Sequence, residues 1–191
     1  RSWELPGSPH LTPFVTDDDN SHRDLDGTPF VYSTFTCTHQ SQVSRFPKEY
    51  FKQAALGALY DWVDTSTPPP SAPPIALHTP TPPALTPVTY ILDSKGNETG
   101  GLRTPFVDYP DRQWVVNDTT VTSTGPLGAL FCTLYGYTVP FTTAELKSLY
   151  KNHGDYVSDV VHETNDLLKN RFLQSWNADT IKQNAGESSI R

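Results

Sequence analysis

The sequence contains no methionine and only two cysteines among its 191 residues. An arginine at position 1 is no translation start, so a processed product, or a piece of something longer, is the expectation. Positive charge is scarce: 14 Lys and Arg stand against 21 Asp and Glu, a formal net charge of −7. That balance, without a basic patch carrying interleaved aromatics, argues against nucleic acid as a partner and against an anionic membrane surface. No apolar run approaches the about 18 residues a spanning helix needs, so no membrane partner is expected. No amino-terminal targeting segment is visible. G-x-S-x-G is absent, so the chain supplies no nucleophile elbow. H-E-x-x-H and paired Cys-x-x-Cys are also absent, so neither a metal nor a cofactor is expected.

Proline is abundant by contrast, with 18 in the chain, most of them between Pro68 and Pro110. Residues 68–87 read as extended. An interdomain linker is one reading; an ordered strap over the surface is preferred, because Ile75, Ala76 and Leu77 give it something to bury. Cys37 and Cys132 lie in apolar or β-prone surroundings and read equally as one disulfide or as two buried thiols. Sequons at Asn97 and Asn117 lean towards a secreted, glycosylated protein.

The clearest element spans residues 47–63. Pro47 suits a first helical position. Phe51, Ala54, Ala55, Ala58, Leu59, Trp62 and Val63 recur at helical spacing, which predicts one broad buried stripe. The prolines from Pro68 end it. Residues 88–92 read as a strand, 93–97 as a turn, and Glu98 to Thr104 as the return. Residues 127–139 are apolar enough to be buried. Thr142-x-x-Glu145 is a capping box that opens a helix to about Asn152, where Gly154 intervenes. A second stripe runs from Tyr156 to about Phe172, and Asn177 reads as the cap of a short final helix that holds Ile181.

Two loops draw attention for chemistry. Asp17, Asp18, Asp19, Asp24 and Asp26 form a polar loop whose spacing does not match a calcium loop, so solvated acid is the default. Gly100, Gly101 and Arg103 read either as a loop that borders a substrate pocket or as a tight turn with a surface arginine. Among the six histidines, His10 stands apart: it follows a short strand-like run and sits on a turn shaped by Pro6, Gly7 and Pro9.

The segment Trp3-Glu-Leu-Pro-Gly-Ser-Pro-His10 resembles the histidine loop of the α/β-hydrolase-domain proteins. The resemblance continues in order. It takes in Phe46-Pro-x-x-Tyr50, Trp62-Val63 with the prolines after it, Gly96-Asn-x-x-Gly-Gly-Leu-Arg-Thr-Pro105, Phe131-Cys-x-Leu-Tyr-Gly136, and Leu149-Tyr-x-x-His153-x-x-Tyr156. It departs at residues 17–30, where a longer acidic loop follows the histidine. The resemblance implies an α/β fold: the carboxy-terminal part of a single α/β-hydrolase domain over residues 1–191, with an added β-hairpin and helices, completed by an upstream segment. Within it, residues 1–67 hold the histidine loop and helix, 68–87 the strap, and 88–191 the hairpin and closing helices.

In such enzymes the triad runs Ser, then Asp or Glu, then His along the chain. His10 is therefore the implied catalytic base of a serine esterase acting on a small-molecule ester, with nucleophile and acid on an upstream segment or companion chain. A proteolytically processed, secreted heterodimer is the expectation. The competing reading is a non-catalytic secreted structural or binding module, suggested by the Thr/Pro-rich composition and the sequons.

Overall fold

The computed structural model describes residues 1–12, 37–78, 89–118 and 126–190. The acidic loop at 17–28, His22, the second half of the strap and Thr119 of the Asn117 sequon lie outside them. Among the described residues, seven helical elements and four strands follow in order: a 3₁₀ turn Gln40–Gln42, α1 Lys48–Thr65, β1 Leu77–His78, β2 Thr89–Tyr90, α2 Pro105–Asp108, β3 Arg112–Val115, α3 Pro126–Tyr135, β4 Tyr137–Pro140, α4 Thr143–Leu149, α5 His153–Lys169 and α6 Ser175–Glu187. Both sheets are two-stranded and antiparallel, β1 with β2 and β3 with β4. The described residues therefore form a mixed helix-and-strand structure without a parallel sheet.

The chain divides into two compact units. The first comprises Arg1–Pro6, Lys48–Asp111 and Phe141–Arg191; the second comprises Gly7–Pro47 and Arg112–Pro140.

In the first unit, α5 and α6 pack together, and α2 packs on α5. Val160 and Leu167 from α5 are buried, as are Ala178, Ile181 and Ala185 from α6. The turn between these helices is a Schellman motif. Arg171 adopts φ 64°, its N–H bonds Leu168 O at 3.0 Å, and the Phe172 N–H bonds Leu167 O at 2.8 Å. Trp3 meets the Phe172 ring edge-on at 4.9 Å and donates its indole N–H to Pro70 O at 2.9 Å.

Residues 1–6 form no regular strand, contrary to the sequence reading, yet they are tied by backbone bonds. Leu102 N–H donates to Glu4 O at 2.7 Å, and the Glu4 carboxylate accepts the Ile75 N–H at 2.7 Å. Ala76 N–H bonds Thr99 O, Gly101 N–H bonds Pro74 O, and Ile91 N–H bonds Ala76 O. These bonds make residues 68–78 an ordered strap held by its backbone; Leu77, expected to be buried, is 46 % exposed.

α1 corrects the expected stripe. Phe51, Ala54 and Ala58 are buried, but Leu59, Trp62 and Val63 are exposed. The apolar residues fall on two faces. Leu56, Leu59, Tyr60 and Val63, at i, i+3, i+4 and i+7, form the second and are 57, 49, 76 and 82 % exposed. The capping box is present as read: Thr142 Oγ1 accepts the Glu145 N–H, and Glu145 Oε2 accepts the Thr142 N–H. Gly154 does not interrupt a helix. It lies in the first turn of α5, where Asn152 Oδ1 accepts the Asp155 N–H. Asn177 is no cap either: it sits inside α6, buried, and donates to Gln53 Oε1 at 2.8 Å.

In the second unit, β3 and β4 pair with Trp114 opposite Thr138, and Val43 bridges to Tyr137. Phe46 is fully buried with its ring edge-on to Trp114 at 5.2 Å. Cys37 and Cys132 are disulfide-bonded, with Cα atoms 5.5 Å apart across 95 residues of sequence. Of the two readings left open above, the cross-link is the one present.

Replacing both Cys37 and Cys132 by Ala should destabilise the second unit by about 2–5 kcal/mol, because so long a loop restricts the unfolded chain strongly. Denaturant unfolding of the double variant measures this; an unchanged midpoint contradicts it.

Candidate functional site

His10 lies in the second unit, one bend beyond the turn at Pro6 and Gly7, where Gly7 takes φ 79°. The loop around it is held firmly. Pro9 is buried, Thr12 is fully buried, and the Leu11 N–H between them donates to Leu134 O at 2.8 Å. His10 itself is exposed. A side chain presented from a pinned backbone is what a proton-transfer group needs, since its position is fixed while its imidazole is accessible.

The second unit also holds a histidine that no sequence motif singles out. His39 Nδ1 lies 2.9 Å from Asp118 Oδ2, and the His39 backbone N–H donates to the same oxygen at 3.3 Å. Asp118 is 3 % exposed at its side chain. The imidazole stacks on Tyr137 at 3.9 Å, nearly parallel. This pair borders a cavity of about 20 Å³ that is also lined by Cys37 and Cys132, just large enough for one water-sized occupant. A buried carboxylate facing a histidine is the orienting half of a catalytic triad. Here, however, the acid follows the histidine in sequence, the reverse of the α/β-hydrolase order. With the disulfide beside it, the pair reads as a brace for the start of the segment leading to Phe46.

In the first unit, Gly100 and Gly101 are required by the backbone itself. They take φ 71° and 66°, and a Cβ on Gly101 would stand 2.7 Å from both Glu4 O and the Pro6 ring. A Cβ on Gly100 would stand 2.7 Å from Pro74 O. No side chain fits either place. Gly101 and Arg103 do nonetheless border a cavity of about 280 Å³, with Pro73, Leu102, Glu163 and Phe172 among its other walls. Arg103 is not a loose surface arginine. Its Nε donates to Asp108 Oδ1 at 2.8 Å, its Nη2 also meets that oxygen, and its Nη1 donates to Glu98 O at 2.7 Å.

Glu163, on α5, was invisible to sequence reasoning because its peculiarity is tertiary. Its Oε2 is buried with no hydrogen-bond partner. Burial, and then Asp108, push it far above the usual carboxyl range, to about 9.

Asn97 cannot carry a glycan in this fold: it is fully buried at the 93–97 turn, where its N–H bonds Asp93 Oδ1 at 2.9 Å. That expected modification is withdrawn on steric grounds. Asn117 is exposed. His153 braces the carboxy-terminal end, with Nδ1 3.0 Å from Ile190 O. Among the described residues no group of His, Cys, Asp or Glu is placed to hold a metal ion, and no helix is long and apolar enough to cross a membrane.

A family model described as "Alpha/beta hydrolase domain" matches residues 1–183. The chain belongs to the α/β-hydrolase-domain family. No curated protein and no solved structure gives a significant match. In a member of this family the pinned histidine loop becomes the first place to look for chemistry, ahead of the His39–Asp118 pair.

Substituting Asp118 by Ala should leave the His39 ring without its buried partner and cost about 1–3 kcal/mol. Thermal unfolding of Asp118→Ala measures this, and a loss below about 0.5 kcal/mol contradicts the bracing role.

Proposed function

We propose that this chain is the histidine-bearing part of a serine hydrolase acting on carboxylic esters, with His10 as its general base. The observation that carries the reading is His10 itself: an exposed imidazole on a backbone fixed by buried Pro9 and Thr12 and by the Leu11–Leu134 hydrogen bond, in a chain of the α/β-hydrolase-domain family.

The chemistry follows from the residue type. A neutral imidazole takes the proton from a serine hydroxyl as the oxygen attacks the ester carbonyl. It returns that proton to the departing alkoxide, leaving an acyl-serine. Water then enters by the same route: His10 removes its proton, and the serine oxygen leaves with the proton as the acid product is released. An orienting carboxylate is required on the other ring nitrogen. The serine and the acid are assigned to an upstream segment or a companion chain, since the sequence has no nucleophile elbow.

The exposed row on α1 supports the same division. Four large apolar side chains along one helical stripe are what a sheet or helix of a completing segment would cover. Secretion rests on the disulfide, which persists in oxidising compartments, and on the exposed Asn117.

In the complete protein, His10→Ala should lower kcat/KM for a soluble ester by about 10⁴-fold or more, because a triad without its base retains only binding and oxyanion stabilisation. The melting temperature should hold. Activity within a few-fold of the unaltered enzyme, measured on material of unchanged stability, removes His10 from the mechanism.

A further inference from the structure

The cavity in the first unit has two kinds of wall. Its volume of about 280 Å³ lies near the lower end of the about 300–1,000 Å³ typical of small-molecule pockets, which suits a compact organic molecule. Leu102 and Leu167, both buried, and the half-buried Phe172 give it apolar surface. These walls are held in place by the fold. Leu102 N–H donates to Glu4 O, Gly101 N–H donates to Pro74 O, and the turn after α5 sets Phe172 edge-on to Trp3 at 4.9 Å. A pocket that needs no ordering before it is filled keeps more of its contact energy as affinity.

The polar walls are rich in acceptors and poor in free donors. Arg103 is the one cation among the described residues that border the cavity. It directs N–H groups to Asp108 Oδ1 and to Glu98 O, so its charge is matched by Asp108. Arg1, exposed, is engaged with Ser71 Oγ at 2.8 Å. Glu163, raised by burial to about 9, keeps its proton at neutral pH and brings no charge there.

Asp166 and Asn170, one turn apart where α5 ends, supply what is left. The Asp166 side chain is 59 % exposed and pairs with His162, whose Nδ1 stands 3.5 Å from Oδ2, too long for a strong bond. Asn170 donates its Nδ2 to the Asp166 backbone O at 2.8 Å, which leaves its own Oδ1 as an acceptor. The carboxy-terminal end of a helix also carries partial negative charge from its last carbonyls, and so favours a cation. One carboxylate, one amide oxygen and a helix end therefore border the same apolar space.

We propose that this cavity binds a small organic ammonium: its N–H groups meet the Asp166 carboxylate and the Asn170 amide oxygen, and a short aryl or alkyl body lies against Leu102, Leu167 and Phe172. An ammonium brings three donors and no acceptor, which complements these walls. A neutral alcohol donates only once, and a carboxylate would set acceptor against acceptor.

The test uses the native protein at pH 8, where imidazoles are neutral and do not compete for the carboxylate. Three probes share a phenylalkyl body: 2-phenylethylammonium, 2-phenylethanol and 3-phenylpropionate. Saturation-transfer NMR should give the ammonium a Kd of about 1 mM or below, within reach of a ligand of about nine non-hydrogen atoms. The alcohol should bind about 3–5-fold more weakly, as expected when an exposed ion pair is lost, and the carboxylate more weakly still. Asp166→Asn, a change at an exposed position, should weaken the ammonium by the same about 3–5-fold. Amide hydrogen exchange should slow at residues 101–103 and 163–172 when the ammonium is bound. No binding of the ammonium, equal binding of the three probes, or an Asp166→Asn protein that binds it unchanged overturns the proposal. Binding that leaves exchange in both segments unaltered puts the ammonium elsewhere on the molecule and overturns it as well.

Discussion

The first unit depends on a place where no side chain can be. At Gly100 and Gly101 the backbone runs against residues 4–6 on one side and the proline strap on the other, with 2.7 Å between a hypothetical Cβ and the nearest atoms on each. The bonds exchanged there, from Leu102 to Glu4, Gly101 to Pro74 and Ala76 to Thr99, join three segments far apart in sequence. Each is a backbone pair, so its geometry is indifferent to most side-chain changes and intolerant of one: a Cβ at either glycine. The same crossing brings Arg103 and Asp108 to their place opposite α5. The cavity that Arg103 and Glu163 border is a consequence of this arrangement.

The second unit solves a different problem. Among its described residues a cross-link and polar fastenings stand beside the buried Phe46 and Trp114. The Cys37–Cys132 bond, the His39–Asp118 pair and the Leu11–Leu134 hydrogen bond each fix a loop that has no regular structure of its own. The exposed His10 emerges from that network. Fixing a loop by several independent ties restricts its backbone without covering its side chains, which is what the role proposed for His10 requires.

Local signals were readable in the sequence, and tertiary ones were not. The capping box at Thr142 and Glu145 needs only four residues in a row, and it appears as read. The helix after Pro47 was legible in type and extent. Its buried face was not, because periodicity marks apolar positions and does not say which of them finds a partner; Leu59 and Val63 belong to the stripe by spacing and stand exposed. Residues 126–135 form a helix that the apolar run did not identify, since a run of that kind suits a buried strand and a buried helix alike. Asn177 looked like a cap because Asn favours caps, and tertiary bonding to Gln53 placed it inside α6 instead. For the candidate site, the Pro/Gly turn and the family resemblance single out His10, whose role stands as a proposal. Glu163 was not legible, because nothing in its own segment announces that its Oε2 will be buried without a partner.

Covalent labelling decides whether His10, the base proposed on this chain, serves a serine elsewhere. The native protein is treated with a fluorophosphonate and the adduct is located by mass spectrometry of its peptides. We predict the adduct on a serine outside these 191 residues, on material from which this chain co-purifies. An adduct on one of the serines of this chain would place the nucleophile within it and contradict the account, as would ester hydrolysis by this chain alone.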